Sequence, residues 1–430
     1  MPRFLLATWG FESHLDTFLA VGKELRLQGH EVAIYTDPSH RSDVESIGAR
    51  LLPFHDLSQE AATEIIDKVI ANRGRPWKLW SWWRQFLIGT IPAQLSDLRR
   101  AINTYAPDVL VSDMAMWGPM VVLQETTSIP VAILSHIGFS LQPGKVFGPV
   151  AGRAMPPRRT GIQRLRARLV TALSGAAARD ARKVVNQIRQ AEGLAPVSIR
   201  MTELCSKMDL CLIPTSRRFD YNRDDLPASV RYVGPCLFPA MPPPLVGSSG
   251  PRTIVVDEGT LYTKDAVMAQ CARQLTGYRI RILAGMHRDP SELEIGAASE
   301  DAKVKPWQPV QYALDGVNAV VTNGNTESVM AALMRGLPVV VVPSIMDQHE
   351  MALRVVECGA GISLPEKQCT PQALQIAVAR LFAEPSFREN AERMGKELRG
   401  MDGPKLAALH LQHLAGSHVH KESLSFAVSR

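Results

Sequence analysis

The chain of 430 residues has few cysteines, and their positions exclude several kinds of site. Its six cysteines lie between Cys205 and Cys369, none forms a C-x-x-C pair, and no histidine stands at a zinc-ligand offset from two of them. We therefore expect no zinc site. Scattered cysteines in apolar surroundings are typical of reduced, buried thiols, as found in cytoplasmic proteins.

Long apolar runs are missing as well. No stretch approaches the roughly 20 apolar residues that a membrane-spanning helix needs. Residues 4–9 form a short apolar run without a cleavage site of small residues, so we expect no signal peptide. These absences predict a cytoplasmic protein with at most peripheral membrane contact.

The sequence also lacks the glycine motifs of the common nucleotide folds. A dinucleotide-binding turn needs G-x-G-x-x-G, but the turns here read WGFESH, DEGTLY and NGNTES, and a P-loop is absent too. Nicotinamide-dependent oxidoreductases and P-loop enzymes are therefore not expected. Because no Asp-x-Asp pair stands at a strand end to chelate a metal with a diphosphate, we expect neither a metal nor a cofactor.

The net charge of +6 is small for this length. It suits an anionic ligand such as a diphosphate, but it is a weak indication of nucleic-acid binding. Arginines cluster between Arg153 and Arg168 without the interleaved aromatic residues that bind single strands. We interpret this cluster as a solvated loop and helix face and expect no nucleic-acid partner.

Predicted strands and helices alternate from the start of the chain. The run RFLLATW ends at Gly10, a helical pattern with Phe18, Val21 and Leu25 on one face follows, and HEVAIYTD predicts the next strand. Strand, helix and strand within about 36 residues form a βαβ unit, which implies a parallel sheet covered by helices. Further strands are predicted at PDVLVSD, IPVAILSH, DLCLIPT and RYVGP.

Residues 236–252 are rich in Pro, Gly and Ser and predict a linker. The alternation of strands and helices starts again after it. We therefore expect an α/β protein with two Rossmann-like doubly wound domains that face each other across a cleft. Their bounds are residues 1–235 and 253–400, with a C-terminal helix and tail at 401–430. Ligands bind in such clefts at the carboxyl ends of the strands.

The turn from Asn323 to Asn325 follows an apolar strand and precedes a helix. Backbone N–H groups at a helix start, together with the helix dipole, form a phosphate site. Gly324 permits close approach of the backbone, and Ser328 lies in the first helical turn. A second such turn, Gly259–Thr260, faces the same cleft. The alternative is an ordinary glycine turn of an α/β fold.

Several motifs of the chain occur in the order and spacing of a known family. They are W-x-P at Trp307–Pro309, VTNG at Val321–Gly324, GLPVVVVP at Gly336–Pro343, DQ at Asp347–Gln348, and EGT at Glu258–Thr260. The sequence resembles the GT-B glycosyltransferases, specifically the inverting family that moves sugars from UDP or dTDP onto small lipophilic acceptors. That family includes plant and animal UDP-glycosyltransferases and bacterial macrolide and antibiotic glycosyltransferases. The resemblance runs over nearly the whole chain.

The resemblance implies a role for each residue that matches a motif. Trp307 would stack on the base of the donor nucleotide. Thr260 and the turn from Gly324 to Ser328 would hold the pyrophosphate. Asp347 and Gln348 would form hydrogen bonds to the hydroxyl groups of the donor sugar, for which a carboxylate and an amide are suited.

The same resemblance implies a catalytic pair in the N-terminal half. His14 stands where the family has its general base, and Asp113, at the end of VLVSD, matches the carboxylate that orients it. Both follow predicted strand ends, which a parallel sheet can bring together at one edge. A neutral imidazole can take the proton of an acceptor hydroxyl as it attacks the anomeric carbon, and a carboxylate on the other ring nitrogen fixes the tautomer.

The diphosphate turn departs from the family pattern. The family has His-Gly-Gly where this chain has Asn323, Gly324 and Asn325, and a ribose-binding glutamate where it has Ala331. We expect Asn323 to donate to a phosphate in place of the histidine, with donor placement and nucleotide choice altered. A catalytically inactive homologue that acts as the partner of an active enzyme is the alternative.

The acceptor site is expected in the N-terminal half. The stretch RPWKLWSWWRQFLIG places Trp80 and Trp83 on one helical face, which suits a buried core face, the aromatic wall of a pocket, or an interfacial helix. The residues that follow strand ends near Asp113 are expected to line the same pocket; they are Met114, Trp117, His136 and Phe139. Such a lining suits a small apolar acceptor. A lipid-linked acceptor is the runner-up.

Overall fold

A computed structural model describes residues 1–72, 75, 81–135, 179, 182–198, 201–221, 226–243, 251–294, 296, 298–345 and 347–428. These residues form two separate parallel sheets, one from each half of the chain.

The first sheet is built from the N-terminal half. Its strands are β1 (Arg3–Ala7), β2 (Glu31–Thr36), β3 (Arg50–Pro53), β4 (Val109–Asp113), β5 (Val131–Leu134), β6 (Leu210–Ile213) and β7 (Val230–Tyr232). They lie in the order β3-β2-β1-β4-β5-β6-β7, and each neighbouring pair is parallel. The strand order reverses between β1 and β4, and in such sheets ligands bind at the carboxyl ends of the strands beside the reversal.

Helices cover both faces of this sheet. They are α1 (Glu12–Leu27), α2 (Arg41–Ser46), α3 (Gln59–Ala71), α4 (Ile91–Tyr105) and α5 (Trp117–Thr126), with a further helical stretch at residues 182–191. Along β1, Leu5 and Ala7 belong to one apolar cluster, and Phe4 and Leu6 belong to another on the opposite face. Burial on both faces explains why each strand has a continuously apolar sequence.

The second sheet repeats this arrangement in the C-terminal half. Its strands are β8 (Thr253–Asp257), β9 (Arg279–Leu283), β10 (Ala302–Lys305), β11 (Ala319–Thr322), β12 (Val339–Val341) and β13 (Gly361–Ser363). They lie in the order β10-β9-β8-β11-β12-β13, again with parallel neighbours. The reversal falls between β8 and β11, which places the loops after these two strands beside the ligand-binding edge.

The helices of the second half complete a doubly wound unit. They are α6 (Val267–Ala272), α7 (Thr326–Met334), α8 (Gln348–Glu357), α9 (Pro371–Ala383) and α10 (Pro385–Arg399). Apolar clusters lie on both faces of this sheet as well. The prediction of an α/β fold with two Rossmann-like doubly wound units is therefore confirmed.

The last helix, α11 (Gly403–Val428), returns to the first half of the molecule. It buries Ala407 and Leu411 in the apolar cluster that also holds Phe18 and Leu19 of α1. The chain therefore crosses between the two halves twice. None of the described helices is both long enough and apolar enough to cross a membrane.

Part of the predicted linker is bound to the C-terminal half. Nε2 of Gln311 donates to the carbonyl of Pro239 at 2.8 Å, and Nη2 of Arg335 donates to the carbonyl of Pro242 at 2.8 Å. Residues 236–243 of the linker are thus held at two points by side chains of the second half. The boundaries at 235 and 252 stay a prediction.

A buried ion cluster joins the two halves. Nη2 of Arg354, in α8, lies 2.8 Å from Oδ1 of Asp220, which follows β6. The same guanidinium pairs with Glu350 one helical turn earlier at 2.5 Å and lies over the ring of Tyr221, 4.3 Å from its centroid. The side chains of Arg354, Asp220 and Glu350 are no more than 1% exposed, so these charges are compensated away from water.

The expectation of reduced thiols throughout is wrong for one pair. Cys205 and Cys211 form a disulfide. Cys205 lies in a short 3-10 helix, Met201–Ser206, and Cys211 lies in β6. The chain turns between them, so that their Cα atoms are 5.7 Å apart. The other cysteines are free; they are Cys236, Cys271, Cys358 and Cys369.

Candidate active site

The carboxyl ends of β1 and β4 bring a histidine and a carboxylate together. The two strands pair so that Ala7 lies opposite Ser112. The next residues along, Thr8 and Asp113, therefore meet at the edge of the sheet, and the first turn of α1 carries His14 over them. Nδ1 of His14 lies 2.5 Å from Oδ2 of Asp113. The structure thus juxtaposes the two residues that the sequence proposed as a catalytic pair.

Further hydrogen bonds hold the carboxylate in this orientation. The hydroxyl of Thr8 donates to Oδ2 of Asp113 at 3.1 Å, and the backbone N–H of Ala115 donates to Oδ1 at 2.8 Å. Asp113 is fully buried, whereas 13% of the His14 side chain is exposed. If the proton of Nδ1 is donated to Asp113, the lone pair of the imidazole lies on Nε2. This arrangement suits a general base whose tautomer is fixed by a carboxylate.

Aromatic rings pack beside His14. The centroid of Phe11 lies 5.4 Å from the imidazole and 6.2 Å from Phe86. Phe86 stacks on Trp9 at 5.0 Å and meets Trp83 edge-on at 6.1 Å. A continuous aromatic cluster therefore runs from the imidazole to the half-buried Trp83. The sequence reasoning missed Phe11 and Trp9, whose signal is their position in the turn between β1 and His14.

The other expected acceptor residues are either buried or outside the described part of the chain. Met114 and Trp117 are 7% and 4% exposed and lie inside the apolar cluster under α4 and α5, so in this structure they are core residues. Trp80, His136 and Phe139 lie outside the described residues. The acceptor role of these residues stays a prediction.

In the C-terminal half, the turns after β8 and β11 are pinned to each other. Nδ2 of Asn323, after β11, donates to the carbonyls of Glu258 at 2.6 Å and Leu261 at 2.7 Å, both after β8. Its Oδ1 accepts the backbone N–H of Asn325 at 3.1 Å. The side chain that the sequence assigned to a phosphate therefore uses both amide hydrogens within the protein. Its role in this structure is to shape the loop after β8.

Two glycines make this close approach of the turns possible. Gly324 has φ +99°, and a Cβ there would lie 2.7 Å from Cγ1 of Val341. Gly259 has φ +70°, and a Cβ there would lie 1.8 Å from Nδ2 of Asn325. Glycine is needed at both positions for the backbone conformation and for space. The space is filled by the protein's own side chains.

A buried carboxylate lies under the start of α7. Asn325 caps this helix by accepting the N–H of Ser328 at 2.9 Å. The hydroxyl of Ser328 contacts Oδ2 of Asp257, the last residue of β8, and the N–H of Gly259 donates to Oδ1 of Asp257 at 3.0 Å. Burial raises the pKa of Asp257 above its usual range, although these hydrogen bonds act in the opposite direction.

The neighbouring carboxylate is compensated by an arginine. Oε2 of Glu258 lies 2.9 Å from Nε of Arg288 and accepts the N–H of Gly285 at 3.0 Å. Burial raises the pKa of Glu258, and the positive charge of Arg288 opposes this shift. The ion pair ties the loop after β8 to the loop after β9. Sequence reasoning did not find it, because the partners are 30 positions apart in different loops.

Helix α8 begins at the acid–amide pair that was assigned to the donor sugar. Asp347 is the half-buried N-cap residue, and Gln348 is 3% exposed. Oε1 of Gln348 accepts the backbone N–H groups of Ser344 and Ile345 at 3.1 Å each, while Nε2 donates to the carbonyl of Leu261 at 3.2 Å. The amide of Gln348 thus holds two loops in place at the carboxyl edge of the sheet.

The remaining expected donor residues lie along the same edge. Thr260 is half-buried in the loop after β8, and Trp307 is half-buried in the loop after β10. β9 lies between these two strands. The residues expected to bind the donor therefore extend from α8 across the centre of the sheet to its β10 side.

One group of possible metal ligands occurs among the described residues, away from this edge. It consists of His55, Asp56 and Asp97. The carboxylate of Asp97 already accepts the backbone N–H groups of His55, Asp56 and Leu57 and the hydroxyl of Tyr35. Its oxygens therefore serve to fix the loop after β3.

Comparison with known proteins defines the class. The model of the erythromycin biosynthesis protein CIII-like C-terminal domain matches residues 286–414. The 4'-demethylrebeccamycin synthase of Lentzea aerocolonigenes is 30% identical over 93% of this chain and 96% of its own length. Demethyllactenocin mycarosyltransferase of Streptomyces fradiae is 24% identical over 92% of this chain and 82% of its own length.

A solved structure agrees with the fold. The calicheamicin glycosyltransferase CalG4 superposes with a TM-score of 0.73 over 97% of this chain and 99% of its own, at 21% identity. The fold is therefore that of the GT-B glycosyltransferases. The chain belongs to the family of natural-product glycosyltransferases with a CIII-like C-terminal domain, and it is a nucleotide-sugar-dependent transferase. The resemblance seen in the sequence is thus confirmed.

Proposed function

We propose that this glycosyltransferase moves a sugar, with inversion, from a UDP- or dTDP-sugar to a small lipophilic acceptor, with His14 as the general base. The observation that carries the proposal is the 2.5 Å contact between Nδ1 of His14 and the buried Asp113. It lies at the strand reversal of the first sheet, on a ring that is partly exposed.

The chemistry is a single displacement. Nε2 of His14 takes the proton of the acceptor hydroxyl while the acceptor oxygen forms a bond to the anomeric carbon. The bond from that carbon to the diphosphate breaks on the opposite face, and the nucleoside diphosphate leaves with the electron pair. The configuration inverts because attack and departure occur on opposite faces. Asp113 stabilises the imidazolium that forms.

The donor is proposed to lie along the carboxyl edge of the second sheet. Trp307 would contact the base, Thr260 and the first turn of α7 would contact the diphosphate, and Asp347 and Gln348 would contact the sugar. The N–H groups at the start of α7 and the helix dipole favour an anion there. Because the amide hydrogens of Asn323 are used internally, we expect its contribution to donor binding to come through the shape of the turn.

The acceptor is proposed to lie against the aromatic cluster beside His14. Phe11 lies next to the imidazole and joins it to Phe86 and Trp83. Such rings offer apolar area at little cost in side-chain entropy, which suits a small, apolar natural product. A lipid-linked acceptor would have to use the same ring of Phe11 to reach the base, so an acceptor panel that spans both classes separates them.

The donor proposal is tested by isothermal calorimetry with UDP-sugars and dTDP-sugars and by a sugar-transfer assay with and without EDTA. We expect saturable binding of at least one of them and no loss of transfer activity in EDTA, because neutral donors and the helix dipole are proposed to stabilise the leaving diphosphate. NAD serves as the control nucleotide. Binding of NAD without binding of any nucleotide sugar, or a strict need for a divalent metal, contradicts the proposal.

A further inference from the structure

The start of α7, where the donor diphosphate is proposed to lie, already holds an anionic group of the protein. Asp257 ends β8 directly under this helix and is 3% exposed. The hydroxyl of Ser328 contacts Oδ2, the N–H of Gly259 donates to Oδ1, and the side chain of Asn325 forms a further hydrogen bond to the carboxylate. These are the hydroxyl, backbone and amide donors that line the diphosphate turn.

We infer that the carboxylate of Asp257 competes with the donor diphosphate for the donors at the start of α7, and so weakens donor binding as its charge develops. The inference rests on the proposed placement of the diphosphate. It assigns to Asp257 a role in setting donor affinity and its pH dependence, in addition to any role in holding the turn.

Other charged groups lie next to Asp257 in the sequence or at the start of α7. Glu258, the residue after Asp257, forms an ion pair with Arg288 and so already uses the positive charge of that arginine. Glu327 adds a negative charge in the first turn of α7. The pKa of Asp16, in α1, is raised first by burial and next by the negative charge of Glu327. A diphosphate must therefore enter a region that carries several carboxylates.

The direction of the pH effect follows from the charges. Burial raises the pKa of Asp257 because it disfavours the carboxylate, and a bound diphosphate raises that pKa further by repulsion. Donor binding consequently takes up a proton when the pH lies between the two pKa values. Affinity is greatest below this window and falls as the pH rises through it.

The test compares the wild-type protein with Asp257→Asn in calorimetric titrations of UDP-glucose and dTDP-glucose from about pH 4 to about pH 8.5, so that the range begins near the ordinary pKa of a carboxyl group. The diphosphate of these sugars is a diester whose charge is constant over this range. We expect the variant to bind the preferred donor about tenfold more tightly at the upper pH, with the difference shrinking toward the lower pH. Asp209→Asn, which makes the same charge change at the start of β6 in the first sheet, should leave affinity unchanged.

A double-mutant cycle with Ser328→Ala adds a second readout. The hydroxyl of Ser328 should contribute more to donor binding in the Asp257→Asn background than in the wild type, because only neutral amide oxygens, at positions 257 and 325, then compete for it. Unchanged or weaker binding by a folded Asp257→Asn, or a flat pH profile of the wild type, overturns the inference and leaves the donor site in place. If neither donor binds to either protein at any pH, the donor placement and this inference both fail.

Discussion

The side-chain amide of Asn323 donates to the backbone carbonyl of Leu261 at 2.7 Å, across 62 positions of the chain. The same carbonyl accepts from Nε2 of Gln348 at 3.2 Å. The amides that the sequence assigned to the diphosphate and to the donor sugar therefore converge on one loop. They fix the shape of the proposed donor site in the unliganded protein.

Asn323→Ala should lower the free energy of unfolding by about 1–3 kcal/mol, because the carbonyls of Glu258 and Leu261 lose a buried donor. Chemical denaturation of the unliganded protein measures this loss. Asn103→Ala, at an exposed helical position, is the matched control and should change stability by less than about 0.5 kcal/mol. If Asn323→Ala is as stable as the control, the hydrogen bonds from Asn323 to the loop after β8 contribute nothing to the stability of the fold.

Substitution of Gly324, in the turn from Asn323 to Asn325, separates the cost of backbone strain from the cost of steric overlap. Gly324 and Gly277 both have positive φ, +99° and +78°, but a Cβ at 324 would meet Val341 at 2.7 Å whereas a Cβ at 277 would meet nothing within 4 Å. Both alanine variants should lose about 1 kcal/mol from backbone strain. Gly324→Ala should lose about 1–3 kcal/mol more from the overlap. Equal losses in thermal denaturation would mean that the turn has room for a side chain.

The buried ion cluster between the two halves predicts a large and specific effect. Asp220→Asn leaves Arg354 with a weakened partner at a site that is 1% exposed, so stability should fall by about 3–5 kcal/mol. The loss should change little with added salt, since buried pairs are poorly screened.

An exposed ion pair provides the control for the cluster. It joins Arg380, in α9, to Glu384, the residue after that helix. Glu384→Gln should cost less than about 1 kcal/mol, and salt should reduce that cost. If Asp220→Asn behaves like Glu384→Gln, the two halves are not held together by this cluster.

Features that follow from the alternation of strands and helices were predictable. The continuous apolar runs of β1 and β4 predict a parallel sheet, and a parallel sheet brings the residues after two adjacent strands to one edge. That is why His14 and Asp113, 99 positions apart, are found together. The glycine turns after β8 and β11 follow from the same pattern.

Contacts that depend on how separate loops meet were not predictable. Nothing local to Asn323 shows that its amide is directed at the loop after β8, and nothing local to Arg354 shows that Asp220 lies opposite it, 134 positions earlier. The burial of Met114 and Trp117 has the same origin, since it depends on the packing of α4 and α5. The pairing of Cys205 with Cys211 depends on a short helical turn that sequence spacing does not reveal.

The proposed role of His14 as the base in sugar transfer is tested by single-turnover kinetics of the His14→Ala variant. The acceptor should be an alcohol and the pH near neutral, because a phenol ionises without help and partly bypasses a base. Donor affinity is measured on the same samples, since the donor is proposed to lie in the other half of the molecule. His55→Ala, at an exposed histidine of the N-terminal half, is the control.

We expect His14→Ala to remain folded and to transfer sugar about 10²–10⁴-fold more slowly than the wild type, with donor affinity nearly unchanged. His55→Ala should keep the wild-type rate. A folded His14→Ala variant that transfers sugar to the alcohol at the wild-type rate would show that His14 is not the base and that its contact with Asp113 is structural.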